Sequence, residues 1–321
     1  MILALAGGVG GAKLANGLAR ISLPGDLVVI VNTGDDFSHL GLRISPDIDT
    51  VMYTLAGRSN SEAGWGLAGD TWHFMEAMER LDGENWFRLG DRDLATHVER
   101  TRRLKDGQTL SEVTADLCKA FGVAHRIAPM TDHSVQTILK TNEGTLSFQH
   151  YFVRRRCEPT VLTIDFIGDR QAAPSPAFAA TLSSAKLHAI IICPSNPYLS
   201  IHPILSLPHV RNALLNRSVP VVAVSPIIAG TAVKGPAAKI MRDFGRTPSV
   251  VEIARFYTGL IDGLVIDERD GHLRPEIEAM GIRVCVTNAL MKTVADQAIL
   301  AKLTSDFASG LNLRNRSQPV R

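Results

Sequence analysis

The chain has 321 residues, with 34 Lys and Arg against 32 Asp and Glu, and a formal net charge of +2. So small a charge does not favour a nucleic-acid-binding or membrane-surface protein, whereas 45% hydrophobic and 21% charged residues are typical of a globular enzyme with a sizeable core. The four cysteines lack CxxC spacing, which argues against a zinc site or a disulfide framework and favours a reducing cytoplasm. No run approaches the roughly 18 apolar residues of a membrane-spanning helix.

Short apolar strands alternate with helical patterns along much of the chain, which is typical of a parallel sheet covered by helices on both faces. Strands are predicted at residues 1–6, 26–32, 187–194, 219–224, 262–266 and 282–286. Helices are predicted at residues 12–21, 201–215, 235–244, 274–280 and 290–308. The sequence therefore predicts an α/β fold with a doubly wound, mostly parallel, Rossmann-like sheet.

The regular alternation of strands and helices is interrupted in the middle of the chain. Apolar residues at three- and four-residue spacing predict helices at 70–82, 91–104 and 109–121. The pattern then alternates over 134–153 about an Asn-Glu-Gly turn, which predicts a β-hairpin. We interpret this part as an inserted helical and hairpin subdomain, followed at the chain end by a frayed polar tail. The predicted divisions are a first core part at 1–55, the insert at 56–160, a second core part at 161–309 and the tail at 310–321.

A glycine-rich stretch, GGVGGAK, follows the first predicted strand at residues 7–13. It lacks the Gly-Lys-Ser/Thr ending of a P-loop. It also lacks the third glycine of the dinucleotide fingerprint, and the second strand ends in Asn32 where that fingerprint needs an acid. The stretch is typical of a strand, a glycine turn and a helix N-terminus that binds phosphate. The candidate phosphate-binding residues are Gly8, Gly10, Gly11 and Lys13.

The loop after the second strand carries four carboxylates, which are Asp35, Asp36, Asp47 and Asp49. Paired acids beside a phosphate loop are a usual way to hold Mg²⁺, and Asp35 with Asp36 are the candidate metal ligands. Turn and cap chemistry is the alternative interpretation, because Gly34-Asp35 and Pro46-Asp47 are good turn formers and Asp49 could cap a helix that starts near Thr50.

Polar residues also lie near the ends of other predicted strands and at the start of one helix. Ser195, Asn196 and Ser225 follow buried strands and could face an anion, and Lys234 lies on the same side of the sheet. The segment LGDRDLATH at 89–97 opens a helix, where its acids could simply be caps. The sequence contains no GxSxG elbow and no HExxH zinc motif. Phosphate loops with carboxylates favour phosphoryl transfer.

The motifs together closely resemble the 2-phospho-L-lactate transferase family of coenzyme F-420 biosynthesis, in the same order from Met1 to about Leu300. They are GGVGGAK, NTGDD, SPDIDTVMYTLAG, LGDRDLATH, PSNPYLSIHPIL and SPIIAGTAVKGPA. The resemblance implies an enzyme that joins a guanosine-diphosphate-activated three-carbon acid to the deazaflavin precursor Fo and releases GMP, with Mg²⁺ and without NAD. The transferred group would be phospholactyl, phosphoenolpyruvyl or phosphoglyceryl, and no residue decides among them.

The resemblance also implies roles for single residues. Asp49 and Arg88 would contact Fo, and Asp35 would bind the metal, with Asp36 a less certain partner. Asp49 and Asp35 are therefore the candidate catalytic residues. The residues facing the guanosine diphosphate would be Gly10, Lys13, Ser195 and Asn196.

Two other classes of protein remain as alternatives. A non-catalytic nucleotide-sugar-binding regulator of similar fold would have a related glycine loop but would lack DIDTVMY and GDRDLATH. An NAD(P) oxidoreductase is disfavoured by the missing third glycine and strand-two acid. The expected partners are small-molecule substrates, without nucleic acid or membrane, and a homodimer is a further expectation.

Overall fold

The structure is a computed structural model that describes residues 1–60 and 64–311. The strands are β1 (Ile2–Ala6), β2 (Leu27–Val31), β3 (Phe37–His39), β4 (Leu42–Ile44), β5 (Arg126–Pro129), β6 (Gln136–Thr141), β7 (Gly144–Ser147), β8 (Val161–Ile167), β9 (Ala189–Ile192), β10 (Val221–Val224), β11 (Ile227–Ile228), β12 (Thr231–Ala232), β13 (Gly263–Asp267) and β14 (Arg283–Thr287).

The α-helices are α1 (Gly8–Ile21), α2 (Pro46–Leu55), α3 (His73–Arg80), α4 (Asp91–Lys105), α5 (Leu110–Ala120), α6 (Pro176–Leu182), α7 (His202–Ser206), α8 (Pro208–Leu215), α9 (Ala237–Asp243), α10 (Val250–Phe256), α11 (Arg274–Glu278) and α12 (Val294–Gly310). Short π-helical turns cover His150–Arg154 and Pro197–Ile201. None of these helices has both the length and the apolar character needed to cross a bilayer.

The central sheet has seven parallel strands in the order β14-β13-β10-β9-β1-β2-β5. From β1 the chain winds outward through β2 to β5 on one side, and through β9 to β14 on the other. The direction of winding therefore reverses between β1 and β9, which is where ligands bind in such sheets. The predicted doubly wound α/β fold is confirmed.

Continuous apolar strands identify the inner part of this sheet. Every residue of β1 and β2 is buried, as is every residue of β9 and β10. Helices cover both sheet faces, and the buried side chains accordingly form two large clusters. Strands that are buried on both faces have no reason to alternate polar and apolar residues, so their apolar runs are visible in the sequence.

Two strands cross the predicted division between core and insert. The segment Arg126–Pro129, within the predicted insert, pairs in parallel with β2 as the edge of the central sheet. The segment Val161–Ile167, within the predicted second core part, pairs antiparallel with β6 in a small three-stranded sheet. The first is four residues long and ends in proline, and the second contains Thr163 and Asp165 and has only one buried residue. Neither has the apolar run of an inner strand.

The predicted helix at 201–215 is broken in the structure. Its two parts, α7 and α8, are separated by Leu207, which has extended backbone angles of φ −60° and ψ 124°. The break has a local cause, because the following residue is Pro208, and a residue before proline is driven out of the helical region.

The predicted hairpin is confirmed by β6 and β7, which pair antiparallel up to Thr141 and Gly144. The chain then enters the π-helical turn His150–Arg154 instead of continuing as a strand to 153. The predicted tail falls mainly on 312–321, outside the described residues.

Candidate active site

A cavity of about 700 Å³ lies beyond the carboxyl ends of the central strands, at the point where the winding reverses. Core segments after β1, β2, β9, β10 and β14 form its floor and one wall, and insert segments form the other wall. Most of the predicted site residues line this cavity; they are Gly8, Gly10, Lys13, Asp35, Asp49, Arg88, Ser195, Asn196 and Ser225. Gly11 and Asp36 are not among the lining residues.

The glycine stretch is the first turn of α1, which begins at Gly8 and not at the predicted residue 12. It packs closely on the loop after β9, and a Cβ on Gly10 would collide with the carbonyl oxygen of Pro194. Gly7 N–H donates to Ser195 Oγ at 3.0 Å, and Gly8 N–H donates to Asp47 Oδ1 at 2.6 Å. The helix N-terminus that points into the cavity is thus fixed by one serine and one carboxylate, and its next N–H groups have no partner within the helix.

Asp47 joins Asp35 in a pair that the sequence analysis did not select. The side-chain amide of Asn32 donates to Asp35 Oδ1 and, at 3.0 Å, to Asp47 Oδ2. Burial raises the pKa of Asp47 to about 6, opposed by the hydrogen bonds from Asn32 and Gly8. Burial raises the pKa of Asp35 well above its usual value, and the neighbouring charges of Asp47 and Asp36 add to the rise. Two carboxylates that share one amide donor favour a cation between them.

Asp36 and Gly11 lie behind the cavity wall. Asp36 accepts a hydrogen bond from Ser45 Oγ at 2.7 Å and lies 3.8 Å from Arg43 Nη2. Burial raises the pKa of Asp36 to about 7, and the charge of Arg43 opposes the rise. Gly11 is buried, and a Cβ there would collide with Ser195 Oγ. Asp36 therefore contributes to the packing of the wall, whereas Asp47 lines the cavity together with Asp35. The role of Asp36 as a metal ligand stays a prediction.

Asp49 lines the cavity and is bound by Arg100, which the sequence analysis missed. The Arg100 side chain is fully buried, and its two terminal nitrogens bind the two Asp49 oxygens, with a distance of 3.1 Å from Nη1 to Oδ2. Burial raises the pKa of Asp49, and the Arg100 charge is the largest opposing influence. Asp49 lies in the first turn of α2, and Arg100 belongs to α4 of the insert. This ion pair therefore joins the insert to the core.

His97 extends the same network toward a second acid. Its Nδ1 lies 3.7 Å from Asp49 Oδ2, and its Nε2 lies 3.4 Å from Asp93 Oδ2. Tyr53 Oη donates to Asp93 Oδ1 at 2.6 Å. The side chains of Asp49, Asp93 and His97 are close enough to share a metal ion. However, Arg100 already supplies the positive charge that Asp49 needs, so this network fixes α4 against α2.

Arg88 and a group of aromatic side chains form the insert wall. The Arg88 guanidinium lies over the Trp72 ring, 4.3 Å from its centroid, within the range of a cation–π contact. Phe148 and Phe152 are stacked with centroids 5.4 Å apart, and both line the cavity. The cavity is also lined by Trp65, Trp86 and Phe87. This wall combines flat apolar surface with a positive charge.

The opposite end of the cavity is lined by polar groups of the core. Asn196 Oδ1 accepts from the N–H groups of Tyr198 and Leu199, at 3.0 and 3.2 Å, and its Nδ2 has no partner among the described residues. Ser225 Oγ donates to the Ile227 carbonyl at 2.9 Å. Lys13 Nζ donates to the Met291 carbonyl at 2.9 Å. The donors at this end suit a phosphorylated ligand.

The comparisons with known proteins agree with this arrangement. The family described as 2-phospho-L-lactate transferase CofD matches residues 2–294. The chain belongs to this family. It is 39% identical to a phosphoenolpyruvate transferase of Streptomyces griseus, over 96% of this chain and 98% of the relative. It is 37% identical to a 2-phospho-L-lactate transferase of Methanosarcina mazei, over 94% and 98%.

A solved structure supports the fold alone. A UPF0052 family protein from Bacillus halodurans matches with a TM-score of 0.62 over 95% of this chain and 98% of that protein. Their sequences are 13% identical. The similarity therefore confirms the Rossmann-like architecture and says nothing about the chemistry of the cavity.

The buried pair of Arg100 and Asp49 gives a prediction for stability. Replacing Arg100 with Met leaves the Asp49 carboxylate buried without its partner, so we expect the free energy of unfolding to fall by about 3–5 kcal/mol. Urea unfolding followed by circular dichroism measures this change. The matched control is Arg102→Met on the same helix, where the exposed pairs with Glu99 and Asp106 are screened by solvent and contribute little. Equal losses in the two variants would contradict the prediction.

Proposed function

We propose that the protein transfers a phosphorylated three-carbon acid from a guanosine-diphosphate-activated donor to the ribityl hydroxyl of Fo, with release of GMP, in coenzyme F-420 biosynthesis. The observation that carries the proposal is the convergence of the family motifs on one cavity. The glycine turn lines it with Gly7, Gly8 and Gly10, and each of the acidic motifs contributes at least one carboxylate. These are Asp35 of NTGDD, Asp47 and Asp49 of SPDIDT, and Asp93 of LGDRDLATH. Family membership and the names of the relatives supply the reaction class.

The two ends of the cavity differ in a way that suits two different substrates. The core end, with the α1 N-terminus, Ser195 and Asn196, presents hydrogen-bond donors, as a diphosphate requires. The insert end, with Arg88, Arg156 and the aromatic wall, presents flat surface and positive charge, as a deazaflavin ring with a polar chain requires. We therefore assign the donor to the core end and Fo to the insert end.

Asp35 and Asp47 are the residues that would hold magnesium. Both line the cavity, both offer oxygen ligands, and their mutual repulsion would be relieved by a cation. A bound magnesium ion would offset negative charge on the diphosphate oxygens. Asp36 is a less suitable ligand, because it is bound to Ser45 on the far side of the wall.

In the proposed reaction the terminal hydroxyl of the ribityl chain attacks the phosphorus that carries the three-carbon acid. A new phosphorus–oxygen bond forms to Fo, the bond to the GMP phosphate breaks, and the hydroxyl proton is released to water. Because a loose transition state needs little help from a base, orientation matters most. Both Asp49 oxygens are bound to Arg100, so Asp49 is suited to orient the hydroxyl by accepting its hydrogen bond.

The test of the proposal is a transfer assay with product mass as the readout. The protein is incubated with Fo, Mg²⁺ and, in turn, the phospholactyl, phosphoenolpyruvyl and phosphoglyceryl donors. We expect GMP and a phosphorylated Fo adduct with at least one donor, and the adduct mass identifies the acid. The relatives named for lactate and for pyruvate chemistry are about equally similar to this chain, so the assay must include both. Failure with all three donors would refute the proposal.

Turnover is expected to depend on a divalent cation held by Asp35 and Asp47. Excess EDTA should stop the transfer, and added Mg²⁺ should restore it. Asp35→Asn and Asp47→Asn should each slow turnover by roughly 100-fold, because the charge on the diphosphate is then poorly offset. Asp36→Asn is the matched control from the same segment and should keep most of the activity. Unchanged turnover in EDTA, or a loss confined to Asp36→Asn, would contradict this metal assignment.

Arg88 is expected to contribute to Fo binding and not to donor binding. Arg88→Ala should weaken Fo binding by about 1–3 kcal/mol, the usual contribution of a hydrogen bond to a charged group. Titration of Fo fluorescence measures this affinity, and calorimetry with GDP measures the donor end. Arg92→Ala is the control, because Arg92 is exposed nearby but does not line the cavity. A variant that loses GDP affinity while keeping Fo affinity would reverse our assignment of the two ends.

We also propose a cytoplasmic location. The four cysteines are free thiols in the structure, as a reducing compartment favours. The expected homodimer stays a prediction.

A further inference from the structure

Two lysines approach each other at the core end of the cavity. Lys13 belongs to α1, and Lys234 belongs to the loop between β12 and α9. Both line the cavity. Burial lowers the pKa of Lys13, and the positive charge of Lys234 lowers it further. The ammonium groups are therefore near enough to repel each other.

Lys13 is held in place by a backbone carbonyl, and Lys234 lies beside a backbone segment of the insert. Lys13 Nζ donates to the Met291 carbonyl, in the loop between β14 and α12. Lys13 is also one helical turn beyond Gly10, so both residues lie on the same face of α1. The Lys234 ammonium lies against the insert backbone at Gly64, where a Cβ would overlap it. Both lysines thus belong to core segments that line the cavity.

The charge of this pair is not balanced by the protein. Neither lysine forms an ion pair within residues 1–60 and 64–311. The acidic side chains that line the cavity are Asp35, Asp47, Asp49 and Asp93, which come from the β2–α2 segment and from α4. Two uncompensated positive charges in a concave site attract an anion.

We propose that Lys13 and Lys234 bind the phosphate that leaves with the guanosine, and that they offset its charge as the bond to the transferred phosphorus breaks. The inference rests on the proposed function and adds a site for the leaving group. The transferred phosphorus must lie near Asp35 and Asp47, within reach of Fo. The lysines lie beyond it, beside Ser225 and Met291, where the phosphate of GMP remains after transfer. Fixed positive charges are most effective where negative charge develops.

Calorimetry with GMP and with guanosine tests this assignment without any turnover. Lys234→Met and Lys13→Met should each weaken GMP binding by about tenfold or more, the usual effect of losing a hydrogen bond to a charged group. Guanosine binding should change little, because guanosine has no phosphate. Lys234→Arg should retain most of the GMP affinity. Lys302→Met is the matched control, since Lys302 is an exposed lysine on α12 that pairs with Asp306.

The exposed position of Lys234 keeps the test interpretable. Lys234→Met removes no hydrogen bond or ion pair between described residues, so it should fold even if Lys13→Met does not. GMP affinity within twofold of wild type in Lys234→Met would overturn the proposal, as would an equal loss for guanosine.

The transfer assay separates this inference from the proposed function. If wild-type protein forms no Fo adduct but the lysine variants lose GMP affinity selectively, the phosphate site stands and the proposed reaction fails. If wild-type protein forms the adduct but the variants bind GMP normally, the reaction stands and the lysine assignment fails.

Discussion

The burial of four carboxylates between residues 35 and 49 is the constraint around which this structure is arranged. Burial raises the pKa of each of them, so each needs a donor or a positive charge close by. Asp49 forms an ion pair with Arg100 of α4. Asp36 accepts a hydrogen bond from Ser45 and lies near the charge of Arg43. Asp35 and Asp47 share one hydrogen-bond donor, the side-chain amide of Asn32. The compensated acids hold the insert against the core, and the undercompensated pair faces the cavity.

Charge is therefore distributed unevenly along the cavity, which would orient the proposed donor. Asp49 and Asp93 belong to the network that joins the insert to the core, while Lys13 and Lys234 belong to core segments. The N-terminus of α1, with its positive dipole end, lies between them. A nucleoside diphosphate that entered with its phosphates reversed would bring its leaving phosphate toward the carboxylates. The electrostatic fields at the two ends of the cavity would thus favour one orientation of the proposed donor.

The sequence predicted the inner strands and most of the cavity lining, because both depend on local patterns. β1, β2, β9 and β10 are continuous apolar runs, and functional residues follow the ends of such strands. The edge strand β5 has no such run. Arg100 was missed because it is one of several charged residues on α4, and its burial depends on the distant Asp49. Asp47 was noted but not selected, because spacing alone does not tell which of the three other acids of the segment lies beside Asp35.

The same geometry favours direct transfer between the two substrates. In the proposed assignment the donor and acceptor sites are the two ends of one continuous cavity, so the Fo hydroxyl would reach the phosphorus without an intermediate carried by the protein. The serine nearest the glycine turn, Ser195, already accepts the Gly7 N–H, and His97 lies between two acids in the network that fixes α4. Their contacts are those of positioning groups. Catalysis would then consist mainly of holding two substrates in line and offsetting charge, which is what the fixed acids, lysines and helix terminus are placed to do.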